Sequence, residues 1–182
     1  MAAGSGSKRR RNGRRTQPGR LAKRYFYNSG PSHELVLIIT NIPDFRLQYD
    51  EPLSLLRLEW VSGEGTPTLR SSAARLLDLA HELAVRVLLI DMNSVPDISV
   101  PDELWLGTHW MPGIVQLPLA HLILAIDSNR IHNQLAIDAL HDLVQPFIRF
   151  ESHYFTDAPS AMQWVSEGTD RLPTLLAEWN GQ

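Results

Sequence analysis

The stretch Val87-Leu88-Leu89-Ile90-Asp91-Met92-Asn93 decides the fold. Its first four residues are apolar and unbroken, with β-branched side chains at both ends, and the run stops at a carboxylate and an amide. So short an apolar run reads as a strand covered on both faces, hence a central parallel one. Upstream, Thr66 followed by Pro67 reads as an N-cap with proline at the first helical position, and the helix is expected to run to about Ala84. Its apolar positions Leu69, Ala73, Leu76, Leu77, Ala80, Leu83 and Ala84 recur at three and four, so one face packs on a sheet.

Further upstream, Phe45, Leu47 and Tyr49 alternate with Arg46, Gln48 and Asp50, the pattern of a half-buried strand. After the turn signal Asp50-Glu51-Pro52, Ser54, Leu56, Leu58 and Trp60 define one face and Arg57 and Glu59 mark the other, which makes an antiparallel hairpin. Leu35 to Thr40 is one more apolar run.

Downstream, Ser99-Val100-Pro101-Asp102 opens a helix as a capping box, and Pro112-Gly113 is expected to stop or kink it. Leu119 to Ile126 reads as a second buried strand. Asp127 or Ser128 is expected to cap the following helix, with Ile131, Leu135, Ala136, Ala139, Leu140, Leu143 and Val144 inward and Pro146 as its stop. Alternation from Phe147 to Phe155 gives a last strand. Asp157 caps a short helix closed by Gly168, and Leu172, Leu175, Leu176 and Trp179 form a small amphipathic stretch. The expectation is an α/β fold: a mixed β-sheet with an N-terminal antiparallel hairpin, followed by alternating helices and largely parallel strands.

Charge divides the chain differently from hydrophobicity. Residues 1–24 carry 9 of the 17 lysines and arginines and none of the 20 acidic residues, so an arm of +9 precedes a body of −12. The arm has almost nothing apolar to bury and is expected to be a disordered basic extension. The α/β domain then spans 25–168, and 169–182 form a short C-terminal amphipathic extension. The chain lacks cysteine, which removes disulfides, thiolate metal sites and cysteine nucleophiles and fits a reducing, cytoplasmic setting. No run of about 18 apolar residues is present, so no membrane span is expected.

Catalytic signatures are missing: there is no serine-hydrolase elbow, Walker loop, zincin helix or dinucleotide glycine fingerprint. Gly63-Glu64-Gly65-Thr66 lacks the lysine of a phosphate loop and reads as a plain loop. The histidines show no close ligand spacing along the chain, so neither metal nor cofactor is expected, and His121 reads as a core or strand-end residue. Trp105, Trp110 and Trp164 read as core. In open α/β sheets ligands gather beyond the carboxyl ends of parallel strands. Asp91, Asn93, Ser99, Asp127 and Ser128 are expected to converge there, although Ser99 and Asp127 or Ser128 also have use as helix caps.

Several segments taken in order resemble bacterial STAS-like domains related to the sporulation anti-anti-sigma factor, in the branch labelled together with lipid-binding SEC14 domains. They are Leu56 to Trp60, Leu88 to Asn93, Ile98-Ser99-Val100-Pro101-Asp102-Glu103-Leu104-Trp105-Leu106, Ala120 to Asp127, and Phe155-Thr156-Asp157 with Ala161-Met162-Gln163-Trp164-Val165. The resemblance covers roughly Tyr25 to Glu167. In phosphoregulated members the helix after the central strand opens on an Asp-Ser-Ser-Gly-Leu-like motif whose serine is phosphorylated; Asp97-Ile98-Ser99-Val100-Pro101-Asp102 stands there, and Ser99 alone matches. What this implies is a non-enzymatic regulatory or interaction module that binds a protein partner or a small ligand near Ser99, with Ser99 a phosphorylation candidate. Two other classes stand beside it. One is a nucleic-acid-associated protein whose basic arm binds phosphates weakly and without sequence preference. The other is a small hydrolase using Asp91 or Asp127, for which no nucleophile and base pair is identifiable.

Overall fold

Six strands form one mixed sheet whose spatial order repeats the chain order. The computed structural model describes residues 36–39, 42–63 and 65–181; the basic arm lies outside them. Strand β1 (Val36–Ile39) pairs antiparallel with β2 (Phe45–Asp50), and β2 with β3 (Leu55–Trp60) in the expected hairpin. Strands β4 (Val87–Asp91), β5 (His121–Ala125) and β6 (Glu151–Phe155) then add one after another, all parallel.

Helix α1 (Leu69–Glu82), the segment α2 (Val100–Trp105) with its continuation, and α4 (Ile131–Val144) cover one face. Their core includes Leu56, Leu58, Leu88, Ile90, Leu122 and Leu124. Helices α5 (Ala158–Val165) and α6 (Leu172–Asn180) cover the other, over Leu55, Leu89, Ile123 and Ala125. The period-2 alternation of β4 and β5 thus feeds two cores, as an unbroken apolar run requires.

Several details depart from the sequence expectation, each for a physical reason. Strand β2 is not half-buried: Gln48 and Asp50 are as buried as Leu47, because α6 lies over them. Gln48 donates to the Leu175 carbonyl at 2.9 Å. The stretch set apart as a C-terminal extension therefore supplies part of the second layer. Helix α1 starts at Leu69, with Thr68 at the cap position and no side-chain cap bond, and Thr66 instead donates to Asp102 at 3.3 Å.

Pro112 does not end its helix. Residues Leu106–Trp110 form a π turn, and α3 (Met111–Ile114) continues beyond it. The wider turn relieves the clash that a proline ring makes with the carbonyl four residues back, and the Thr108 hydroxyl takes up the Leu104 carbonyl at 2.7 Å. Gly113 allows close packing on α1, since a Cβ there would run into a Leu77 methyl.

Helix α4 is rotated relative to its hydrophobic pattern. Its buried side chains are Asn133, Ala136, Ile137 and Val144, while Ile131, Leu135 and Leu143 face outward. Asn133 decides this. Its amide accepts from Ile98 N at 3.1 Å and donates to the carbonyls of Val95 and Pro96 at 3.1 and 3.3 Å, satisfying a loop that runs under the helix.

Candidate functional site

The parallel strands end on a polar edge, where Asn93 ties three of them together. Its carbonyl oxygen accepts from Asp127 N at 2.6 Å, and its amide donates to the Thr156 carbonyl at 3.1 Å. Asp91 accepts from Asn93 N at 3.0 Å and orients it. Asp127 closes a turn by accepting from Asn129 N at 2.8 Å, so it precedes α4 rather than capping it; Arg130 occupies the cap position without a side-chain bond. Asp91, Asn93 and Asp127 do come together, and their polar atoms bond to the backbone of the strand ends. Ser128 is exposed. The sheet order never reverses between β3 and β6, so this edge has no topological switch point, and its two open depressions are bordered by Trp60, Ser94, Asp97 and Arg130 and by Gln134, Asp138, Tyr154 and Thr156.

Ser99 belongs to a different group. Its hydroxyl accepts from Asp102 N at 3.3 Å, capping α2 as the spacing predicts, and donates to the Asp102 carboxylate at 2.7 Å. Arg70 of α1 donates to the same carboxylate at 2.8 Å and to the Pro101 carbonyl at 3.0 Å. The hydrogen bonds from Ser99 and Arg70 hold the Asp102 carboxyl below its ordinary value. A depressed folded value stabilises above the unfolded value of about 3.9 and is lost as pH falls through the folded one. Ser99→Ala is therefore expected to cost about 1 kcal/mol at neutral pH, as N-cap removal does. In urea titrations the cost should shrink once Asp102 is protonated. An equal cost at pH 7 and at a pH below the Asp102 titration would show that the carboxylate takes no part.

Beside Ser99 the rotation of α4 has a surface consequence. Helix α4 packs against the π turn that continues α2, forming a seam: His132 and Asn133 bond to the Ile98 backbone ahead of α2, and Gly107 of the π turn packs under Leu140 and Leu143. Val100 and Leu104 on α2, and Ile131, Leu135 and Leu143 on α4, are each more than half exposed. Beneath these helices lies an apolar cavity of about 110 Å³, bordered by Phe45, Leu58, Trp110, Leu122 and Ile137. Pockets for drug-sized ligands hold about 300–1,000 Å³, so this one falls well short.

On the opposite face, His121, Glu151 and His153 meet at the start of β5 and β6. His121 Nδ1 lies 3.1 Å from His153 Nε2. Glu151 Oε2 is 3.8 Å from the first and 3.6 Å from the second. Trp164 of α5 packs on them, its ring 4.3 Å from that of His153 and 5.5 Å from that of His121. Trp164, 36% exposed, is thus not a core residue, while Trp105 is partly buried against the first core and Trp110 donates to the Ala73 carbonyl at 2.8 Å. The one signal for the histidine cluster was the shared parity of Glu151, His153 and Phe155; the neighbour strand that completes it is set by sheet order. Among the described residues, no helix is long and apolar enough to cross a membrane. No protein-family model, curated protein or solved structure matches this chain.

Proposed function

We propose that this chain is a non-enzymatic interaction module of STAS-like type that binds a protein partner through the α2–α4 face beside Ser99. The observation that carries this reading is the set of large aliphatic side chains that α2 and α4 leave exposed: Val100, Leu104, Ile131, Leu135 and Leu143. An apolar patch rimmed by polar groups marks protein contact surfaces, whereas isolated exposed apolar residues do not. The small volume of the interior cavity favours a protein over a lipid-sized ligand. Ser99 supports the regulatory part: it is exposed, at a helix start where an anion is favoured, and its hydroxyl bonds to a carboxylate rather than an imidazole. A phosphate there would break the Ser99–Asp102 bond and compete with Asp102 for Arg70, altering the rim of the patch. A cytoplasmic setting belongs to the same proposal and rests on the lack of cysteine.

The test is affinity capture from cell lysate with the wild-type chain, Ser99→Asp and the double variant Leu104→Asp/Leu135→Asp. Substitutions at exposed sites usually change stability by less than about 0.5 kcal/mol, so melting should be unaltered. A partner held in stoichiometric amount by wild type, weakened by Ser99→Asp and lost with the double variant is expected. The same proteins captured by all three would refute the assignment of the surface.

A further inference from the structure

We propose that His121, Glu151 and His153 form a binding site for one divalent first-row transition-metal ion of the zinc class. The site lies on the opposite face of the sheet from the α2–α4 seam and stands independently of the partner-binding reading. Register builds it: β5 and β6 are parallel with His121 opposite Glu151 and Ile123 opposite His153. Residues two apart on β6 share a face, so both β6 side chains reach toward His121 on the side that α5 covers.

The geometry fits an ion rather than a chance grouping. The three ligand atoms are separated by 3.1, 3.6 and 3.8 Å. A point equidistant from them lies about 2.0 Å from each, within the range of zinc–imidazole and zinc–carboxylate bonds, about 2.0–2.2 Å. Two imidazoles and one carboxylate are a donor set for zinc, cobalt or nickel; calcium and magnesium require several more oxygens. Two ring nitrogens 3.1 Å apart face each other, so both imidazoles aim a ligand atom at the same point. Trp164 walls one side against His153 and His121, and β6 is the last strand of the sheet, so the fourth coordination position opens to solvent.

The experiment is calorimetric titration of the untagged full chain, stripped by chelator, with Zn²⁺, together with the visible spectrum of the Co²⁺ form. One Zn²⁺ per chain at micromolar affinity or tighter is expected, with Co²⁺ bands of four-coordinate intensity. Glu151→Gln and His153→Asn should each weaken binding by at least about a hundredfold, the upper end of what outer-shell changes cost. His81→Ala, an exposed histidine on α1, should leave it unchanged. Glu151 is 75% exposed, so its variant tests the site without threatening the fold. Absence of binding up to millimolar Zn²⁺ would overturn the proposal. So would unchanged stoichiometry and affinity in His121→Ala/His153→Ala with its circular dichroism intact.

Discussion

Replacing Arg171 by alanine is expected to cost about 3–5 kcal/mol of folding stability, because it strands a carboxylate inside the protein. Asp50 at the end of β2 has 0% exposure. One of its oxygens accepts from Leu53 N at 3.0 Å, and the other accepts from Arg171 Nε at 3.1 Å and from Arg171 Nη2. The fork of the guanidinium meets that carboxylate from the start of α6, 121 residues further along the chain. An exposed ion pair contributes at most about 1 kcal/mol, so the measurement separates the two cases cleanly. Urea titration should show a large fall in midpoint with little change in slope, since slope follows the area exposed on unfolding. Lysine at 171 should recover only part of the loss, lacking the planar fork. Replacing both partners by leucine should cost less than Arg171→Ala alone, because the fully buried Asp50 charge is then removed together with its partner. A fall below about 1 kcal/mol for Arg171→Ala would mean that the pair is wet and α6 only loosely attached.

The same contact shows where sequence reading stops. Local period determined most of the elements: the run Val87–Ile90, the i, i+3 and i+4 stripe of α1, and the cap spacings at Ser99 and Asp157 are short-range signals, and the structure has each element in place. What covers a face is a long-range fact. Arg46, Gln48 and Asp50 look like the solvent side of β2 until α6 is placed over them. Helix α4 sits out of phase with its hydropathy stripe because an asparagine carries the burial: Asn133 is fully buried by three backbone bonds, and no hydropathy stripe favours an amide over Ile131 or Leu135. The candidate site suffered in the same way. Asp91, Asn93 and Asp127 were legible as strand-end polar residues, but their use as backbone cross-links depends on which strands are neighbours. His121 and His153 are 32 residues apart and meet only because β5 and β6 pair in parallel.

Trp179→Ala is expected to lower stability by about 3–5 kcal/mol, the cost of truncating a buried aromatic, and to lower the melting temperature by roughly 10 °C or more. Trp179 is 6% exposed. Its ring lies against two guanidinium groups of the sheet, Arg46 at 4.0 Å and Arg57 at 3.8 Å. Arg57 is the more demanding partner. Burial pushes it down to about 10, against the pull of Asp91 and Glu59, so it remains charged at pH 7. Among the described residues its Nε and Nη1 have no hydrogen-bond partner. The π face of Trp179 is therefore the group that accommodates this cation, a contact that strengthens when water is excluded. Removing the ring leaves a cavity and a poorly solvated charge together, and the second term can be isolated. In an Arg57→Leu background that charge is gone and only packing and the Arg46 contact remain, so Trp179→Ala should cost less and the double variant should be more stable than additivity predicts. Trp179→Phe keeps an aromatic face over Arg57 and should lose less than half as much. If Trp179→Ala costs the same with Arg57 present or replaced, the ring does not accommodate the Arg57 charge and the cation–π account of that residue fails.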